Sequence, residues 1–172
     1  LFETNNSKHI IDYIIFNSKN YGLVSAVVLE DGISMLSHES NKIILESFAP
    51  TKPLDNISII FNKTITEKTT PTTIRHITDI DNTTYFFISG SGFYYILKED
   101  DFPNNMDKGT FVSDMNSGVK LLCYYSGKMY IADSNMVISR NIKTGKIVTI
   151  VSIGKNKTKS KKIPVISSSV SC

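Results

Sequence analysis

Short apolar runs broken by Gly, Asn, Asp and Pro set the pattern of this chain. Their length and β-branched, aromatic content read as strands. The opening third predicts strands over 10–17, 23–29, 33–38 and 42–48, with Glu30-Asp31-Gly32 as a hairpin turn. A short amphipathic helix over 7–15, capped by Ser7, is the alternative for the first run. Pro50 to Asn56 reads as a loop, 57–61 as a short strand, and the Thr-rich stretch 64–73 as an exposed edge or linker. A strand over 74–80 follows, then a hairpin over 85–96, a turn-rich connection over 101–109 and a strand over 110–113. The last predicted strands cover 118–124, 128–132, 136–141 and 146–153.

One passage occurs twice. Tyr85-Phe86-Phe87-Ile88-Ser89-Gly90-Ser91-Gly92-Phe93-Tyr94-Tyr95-Ile96 lies over Met129-Tyr130-Ile131-Ala132-Asp133-Ser134-Asn135-Met136-Val137-Ile138-Ser139-Arg140, an offset of 44 residues. Each copy is an apolar run, a small polar turn and a second run. The two repeat units fall near 74–113 and 118–153, and a weaker echo starts at Tyr13. A four-strand meander in 36 residues (118–153) has the size of a propeller blade. The expected fold is therefore mostly β, built from antiparallel four-strand meanders in a propeller-like arrangement. A β-rich domain over 1–154 is followed by a basic, flexible tail over 155–172.

Gly127-Lys128-Met129-Tyr130-Ile131-Ala132-Asp133-Ser134-Asn135, followed by Ile142-Lys143-Thr144-Gly145-Lys146-Ile147, resembles the blade repeats of PQQ-like and NHL-like β-propellers. Tyr85 to Ile96 looks like the same unit. The resemblance covers about 80 residues, implies the shape and carries no specific function. The tryptophan that docks many PQQ-like blades is absent. A second resemblance lies in residues 12–39, which are similar to the meander that opens actin-like domains of type IV pilus and type II secretion assembly proteins. It implies an α/β fold, a cytoplasmic, membrane-anchored setting and no ATPase activity, since Asn17-Ser18-Lys19 replaces the nucleotide-binding turn.

Charge adds an asymmetry to this picture. The net charge is +3, yet no acidic residue follows Asp133, and the segment from Ser134 onward carries +8. Lys155, Lys157, Lys159, Lys161 and Lys162 concentrate that excess. They suit a solvated tail or contact with an anionic membrane surface. Nucleic acid is not the expected partner, because no aromatic side chain interleaves the lysines as a stacking platform. Cys123 lies in an apolar run and reads as a buried core thiol, with a Cys123–Cys172 disulfide as the alternative. The chain begins with Leu and reads as a mature product, an excised domain or part of a longer protein. Five N-x-S/T sequons, at Asn5, Asn56, Asn62, Asn82 and Asn156, gain meaning only in a secretory pathway.

Candidate chemistry is sparse. His9, His38 and His76 have no metal-ligand spacing, Glu99-Asp100-Asp101 lacks the alternation of a calcium loop, and Ser89-Gly90-Ser91-Gly92 reads as a hairpin turn. No nucleophile elbow, C-x-x-C or H-E-x-x-H pattern occurs. Neither enzymatic activity, metal nor cofactor is expected. Around Tyr85 the alternation of a strand sends Tyr85 and Phe87 to one face and Phe86 to the other. An aromatic hairpin of this kind is covered on both sides, as a blade between two others, or offers a partner-binding surface through Phe86, Phe93 and Tyr95. The expected function is a non-catalytic protein-binding or scaffolding module of a surface or membrane-associated assembly, outside the cytoplasm or at a membrane.

Overall fold

A computed structural model describes residues 9–53 and 66–153. Within them lie three four-stranded antiparallel sheets and one two-stranded ribbon. The first sheet is the meander β1 (Asp12–Ser18), β2 (Gly22–Leu29), β3 (Gly32–Ser37) and β4 (Lys42–Phe48). The ribbon pairs β5 (Thr51–Pro53) with β6 (Thr66–Lys68). The middle sheet is β7 (Pro71–Thr78), β8 (Thr84–Gly90), β9 (Phe93–Lys98) and β10 (Thr110–Val112). The last is β11 (Lys120–Tyr125), β12 (Lys128–Ala132), β13 (Met136–Asn141) and β14 (Ile147–Ser152). Within each four-stranded sheet every strand pairs with the next in sequence, through short turns except for the longer connection 99–109 between β9 and β10. Gly32 closes the β2–β3 hairpin at φ +136°, and a Cβ there would sit 2.5 Å from the Phe48 carbonyl oxygen, so only glycine fits.

The sheets pack face to face in chain order, and alternation decides the packing. Phe86, Ile88, Tyr95 and Leu97 join Val24, Ala26, Val28, Ile33 and Met35 of the first sheet in one core. Tyr85, Phe87, Tyr94 and Ile96 point the other way and meet Met129, Ile131 and Ile138 of the last sheet. The middle sheet is thus covered on both faces, and every residue of β8 is buried. Strand β7 lies against β1 and β2 on one side and β11 on the other. The leading strands of all three sheets therefore converge.

The hairpin registers fix how the sheets repeat. Ser89↔Tyr94 in the middle sheet corresponds to Ala132↔Val137 in the last, an offset of 43. The overlay at 44 is corrected by one residue, and a one-residue slip reverses every side chain. At 44, Tyr85 faces the following sheet while Met129 faces the preceding one; at 43, Phe86 and Met129 both face the preceding sheet. The echo at Tyr13 is likewise displaced. It falls on β1, whereas Leu29↔Gly32 between β2 and β3 is the counterpart of Gly90↔Phe93.

The four-strand β organisation agrees with the propeller-like expectation, although the three sheets form no closed ring. The actin-like alternative is not supported. It requires several helices, and the helical segments among the described residues are two 3-10 turns, Glu99–Asp101 and Met106–Lys108. The helix considered over 7–15 gives way to β1 in its described part. Part of the Thr-rich stretch is ordered as β6 and the start of β7, with Pro71 at the first position of its strand, where no ladder donor is lost. The predicted strand over 57–61 and the tail over 155–172 lie outside the described residues.

Candidate interaction surface

Strand β1 is apolar on both faces, like the aromatic hairpin. Ile14 and Phe16 pack into the first core. Tyr13 and Ile15 point outward and are 66% and 62% exposed. Leu23 on β2 and Ile43 on β4 extend this outward apolar face, and both are exposed. On the same face, beside Tyr13 and Ile15, runs a groove of about 540 Å³ lined by Ile10, Tyr13, Ile15, Val27 and Leu36. Its polar contribution is a pair, Ser25 Oγ and His38 Nε2, 2.7 Å apart. A nucleophilic serine needs donors aimed at a developing oxyanion. Ser25 sits in mid-sheet between Ile15 and Leu36, where backbone amides serve the ladder. The pair therefore satisfies itself and leaves an otherwise apolar surface.

The far face of the last sheet is also open. Tyr125, Val148 and Val151 are exposed there, Tyr130 and Val137 half-buried, and Lys128 stands among them. Cys123 pairs with Tyr130 and shares this face. It is half-buried and disulfide-bonded, which replaces the expected buried thiol; Cys172, the partner considered from the sequence, lies outside the described residues. Where β1, β7 and β11 begin, a cavity of about 360 Å³ is lined by Asp12, Thr72, Thr73, Arg75 and Lys120. Its carboxylate is spent: Asp12 Oδ2 accepts from Arg75 Nη1 (2.5 Å) and from the Ile74 amide (3.1 Å). That arrangement is a matched ion pair, with no converging acid and base.

Each joint between sheets holds a buried carboxylate. In the first, Glu99 accepts from Thr84 Oγ1 (2.5 Å), lies 3.0 Å from His76 Nε2 and accepts from the Lys19 amide (3.2 Å). Glu99-Asp100-Asp101 is therefore not a solvated turn throughout: Glu99 is 1% exposed. Burial pushes its pKa up, but hydrogen bonds from Thr84, Ser18 and His76 outweigh this and hold it below the ordinary value. In the second joint Asp79 accepts from the Tyr124 hydroxyl, and Lys143 Nζ lies 3.4 Å from it and 2.8 Å from Asp81. The Tyr124 hydrogen bond is the main cause that lowers the Asp79 pKa, against the effect of burial. Both groups bind protons less readily folded than unfolded. Their contribution is complete above the ordinary values of 4.5 and 3.8 and is lost as pH falls through the lowered folded values. Thermal unfolding followed from neutral pH downward should show a melting temperature that declines below pH 4.5. A melting temperature that rises there would contradict the assignment.

Phe86, Phe93 and Tyr95, expected as a partner-binding surface, are 1%, 5% and 5% exposed. Phe86 meets Phe16 edge-on, Phe93 stacks on Phe111, and the Tyr95 hydroxyl donates to the Met106 carbonyl. The covered-on-both-sides alternative holds because a sheet stands on each side. Lys155, Lys157, Lys159, Lys161 and Lys162 lie outside the described residues. The sequence reading missed Tyr13, Ile15, Leu23 and Ile43 as a surface. Their signal was present: a strand apolar on both faces must be covered twice or bind something. No protein family, characterised protein or solved structure matches this chain.

Proposed function

We propose that this chain is a non-catalytic protein-binding module of propeller-like design, docking through the outer face of its first sheet. The observation that carries the reading is the contiguous exposure of Tyr13, Ile15, Leu23 and Ile43 around an apolar groove. Burying such side chains contributes about 1.5–3 kcal/mol each, so the surface is suited to the core of a protein interface. Ile15→Glu with Ile43→Glu is expected to leave unfolding within about 0.5 kcal/mol of the parent, because both positions are exposed. The same variant should lose the protein that the parent chain captures in an affinity experiment on extracts of its source. Equal capture by parent and variant would sink the reading.

The setting proposed is a surface or membrane-associated assembly. The disulfide at Cys123 favours an oxidising compartment. The five lysines between 155 and 162 add affinity for anionic headgroups, about 1 kcal/mol for each that reaches the surface. Salt-sensitive co-sedimentation with phosphatidylserine vesicles, but not with neutral ones, is the expected result. Equal recovery on both vesicle types would remove the membrane from this proposal.

A further inference from the structure

The two open faces of the chain are not equivalent. In both internal joints, one sheet's forward face, the one turned toward the next sheet in the chain, covers the back face of that next sheet. Val24, Ala26 and Met35 cover Phe86, Ile88 and Leu97 in this way. Tyr85, Phe87 and Ile96 in turn cover Met129 and Ile131. Among the described residues the first sheet then lacks a neighbour on its back face, which carries Tyr13, Ile15 and Ile43. The last sheet, again among the described residues, lacks one on its forward face, which carries Tyr130, Val137 and Val148, opposite in strand alternation to Met129, Ile131 and Ile138, and has the disulfide-bonded Cys123 on its leading strand. One chain thus displays both halves of the joint it already makes twice.

We infer that the occupant of the first sheet's open face is the last sheet of a second copy of this chain. Two copies related by a two-fold axis would then form a closed ring of six blades. The inference rests on the docking reading above and names its partner. A front-to-back contact between identical chains either closes or propagates as a filament. Three sheets per chain supply six to a dimer, within the four to eight that closed rings use. Charge favours the pairing as well. Setting aside Asp12, Arg140 and Lys143, which are engaged toward the middle sheet, residues 9–53 carry four acidic and three basic side chains, whereas 118–153 carry three basic and one acidic. First sheet against last therefore joins opposite charges, while first against first or last against last opposes like charges. The Ser25–His38 pair can be covered because its hydrogen bond is already made within the face.

The test is sedimentation equilibrium of the full chain across a dilution series, with two variants beside it. The expected mass is twice the chain mass of 19.2 kDa. Ile15→Glu on the back face and Val148→Glu on the forward face should each abolish the dimer. Unfolding curves of the two variants check that each remains folded, since both positions are exposed. A dimer that survives Val148→Glu is a back-to-back pair of first sheets and overturns the ring. A monomer at every concentration, or an open polymer, overturns it too. A monomer that still captures a different protein through Ile15 and Ile43 overturns self-assembly while the docking reading stands. Loss of that capture as well would end both.

Discussion

Phe87→Ala is expected to remove about 3–5 kcal/mol of stability, the usual cost of emptying a buried phenylalanine site. Phe87 is wholly buried between the middle and last sheets and lies 5.6 Å from the stacked ring of Tyr94. The loss combines transfer of the ring back to water with a cavity that strands paired on both sides are poorly able to fill. Against a net stability of about 5–15 kcal/mol for a domain of this kind, that is a large fraction. The informative comparison is Phe86→Ala, one residue away and also buried, whose ring points into the opposite core. Urea titrations should show similar losses for the two. Amide hydrogen exchange should separate them: Phe87→Ala deprotects β11 to β13, and Phe86→Ala deprotects β1 to β3. Identical exchange patterns would contradict the opposed orientation on which the three-sheet row depends.

Glu99→Ala should cost roughly 3 kcal/mol, because it strips several donors of one buried acceptor. Thr84 Oγ1, the His76 ring and the Lys19 amide all meet this carboxylate. The Lys19 amide belongs to the turn after β1 and the other two to the middle sheet, so Glu99 ties two sheets together. His76 is itself stacked on Phe16 at 4.4 Å, which carries the coupling into the apolar core. Glu99→Gln keeps the shape and one acceptor and should cost less. Asp100→Ala, the exposed neighbour, should change stability by no more than about 0.5 kcal/mol. Chemical denaturation of the three variants checks the order, and a Glu99→Ala loss no larger than that of Asp100→Ala would show that the buried carboxylate is no latch.

Much of the architecture was legible along the chain. Apolar runs cut by Glu30-Asp31-Gly32, Ser91-Gly92 and Asp133-Ser134-Asn135 locate three hairpins, because a two-fold alternation between turn residues leaves a strand few alternatives. The double-sided aromatics of β8 also announced a sheet buried on both faces. Register was harder to read. Tyr85 resembles Met129 about as well as Phe86 does by residue type alone, so only the observed cross-strand pairs separate an offset of 44 from one of 43.

Glu99 shows what a linear reading misses. Beside Asp100 and Asp101 it has the look of a solvated acidic turn, and nothing local reveals that Lys19, His76 and Thr84 converge on it. Phe93 and Tyr95 share that ambiguity with Tyr13 and Ile15, since all are apolar side chains on strands. Local alternation determined which residues form strands and which side chains share a face. Which face meets another sheet and which is left open depends on contacts between residues far apart in the chain, and only the tertiary packing decided that.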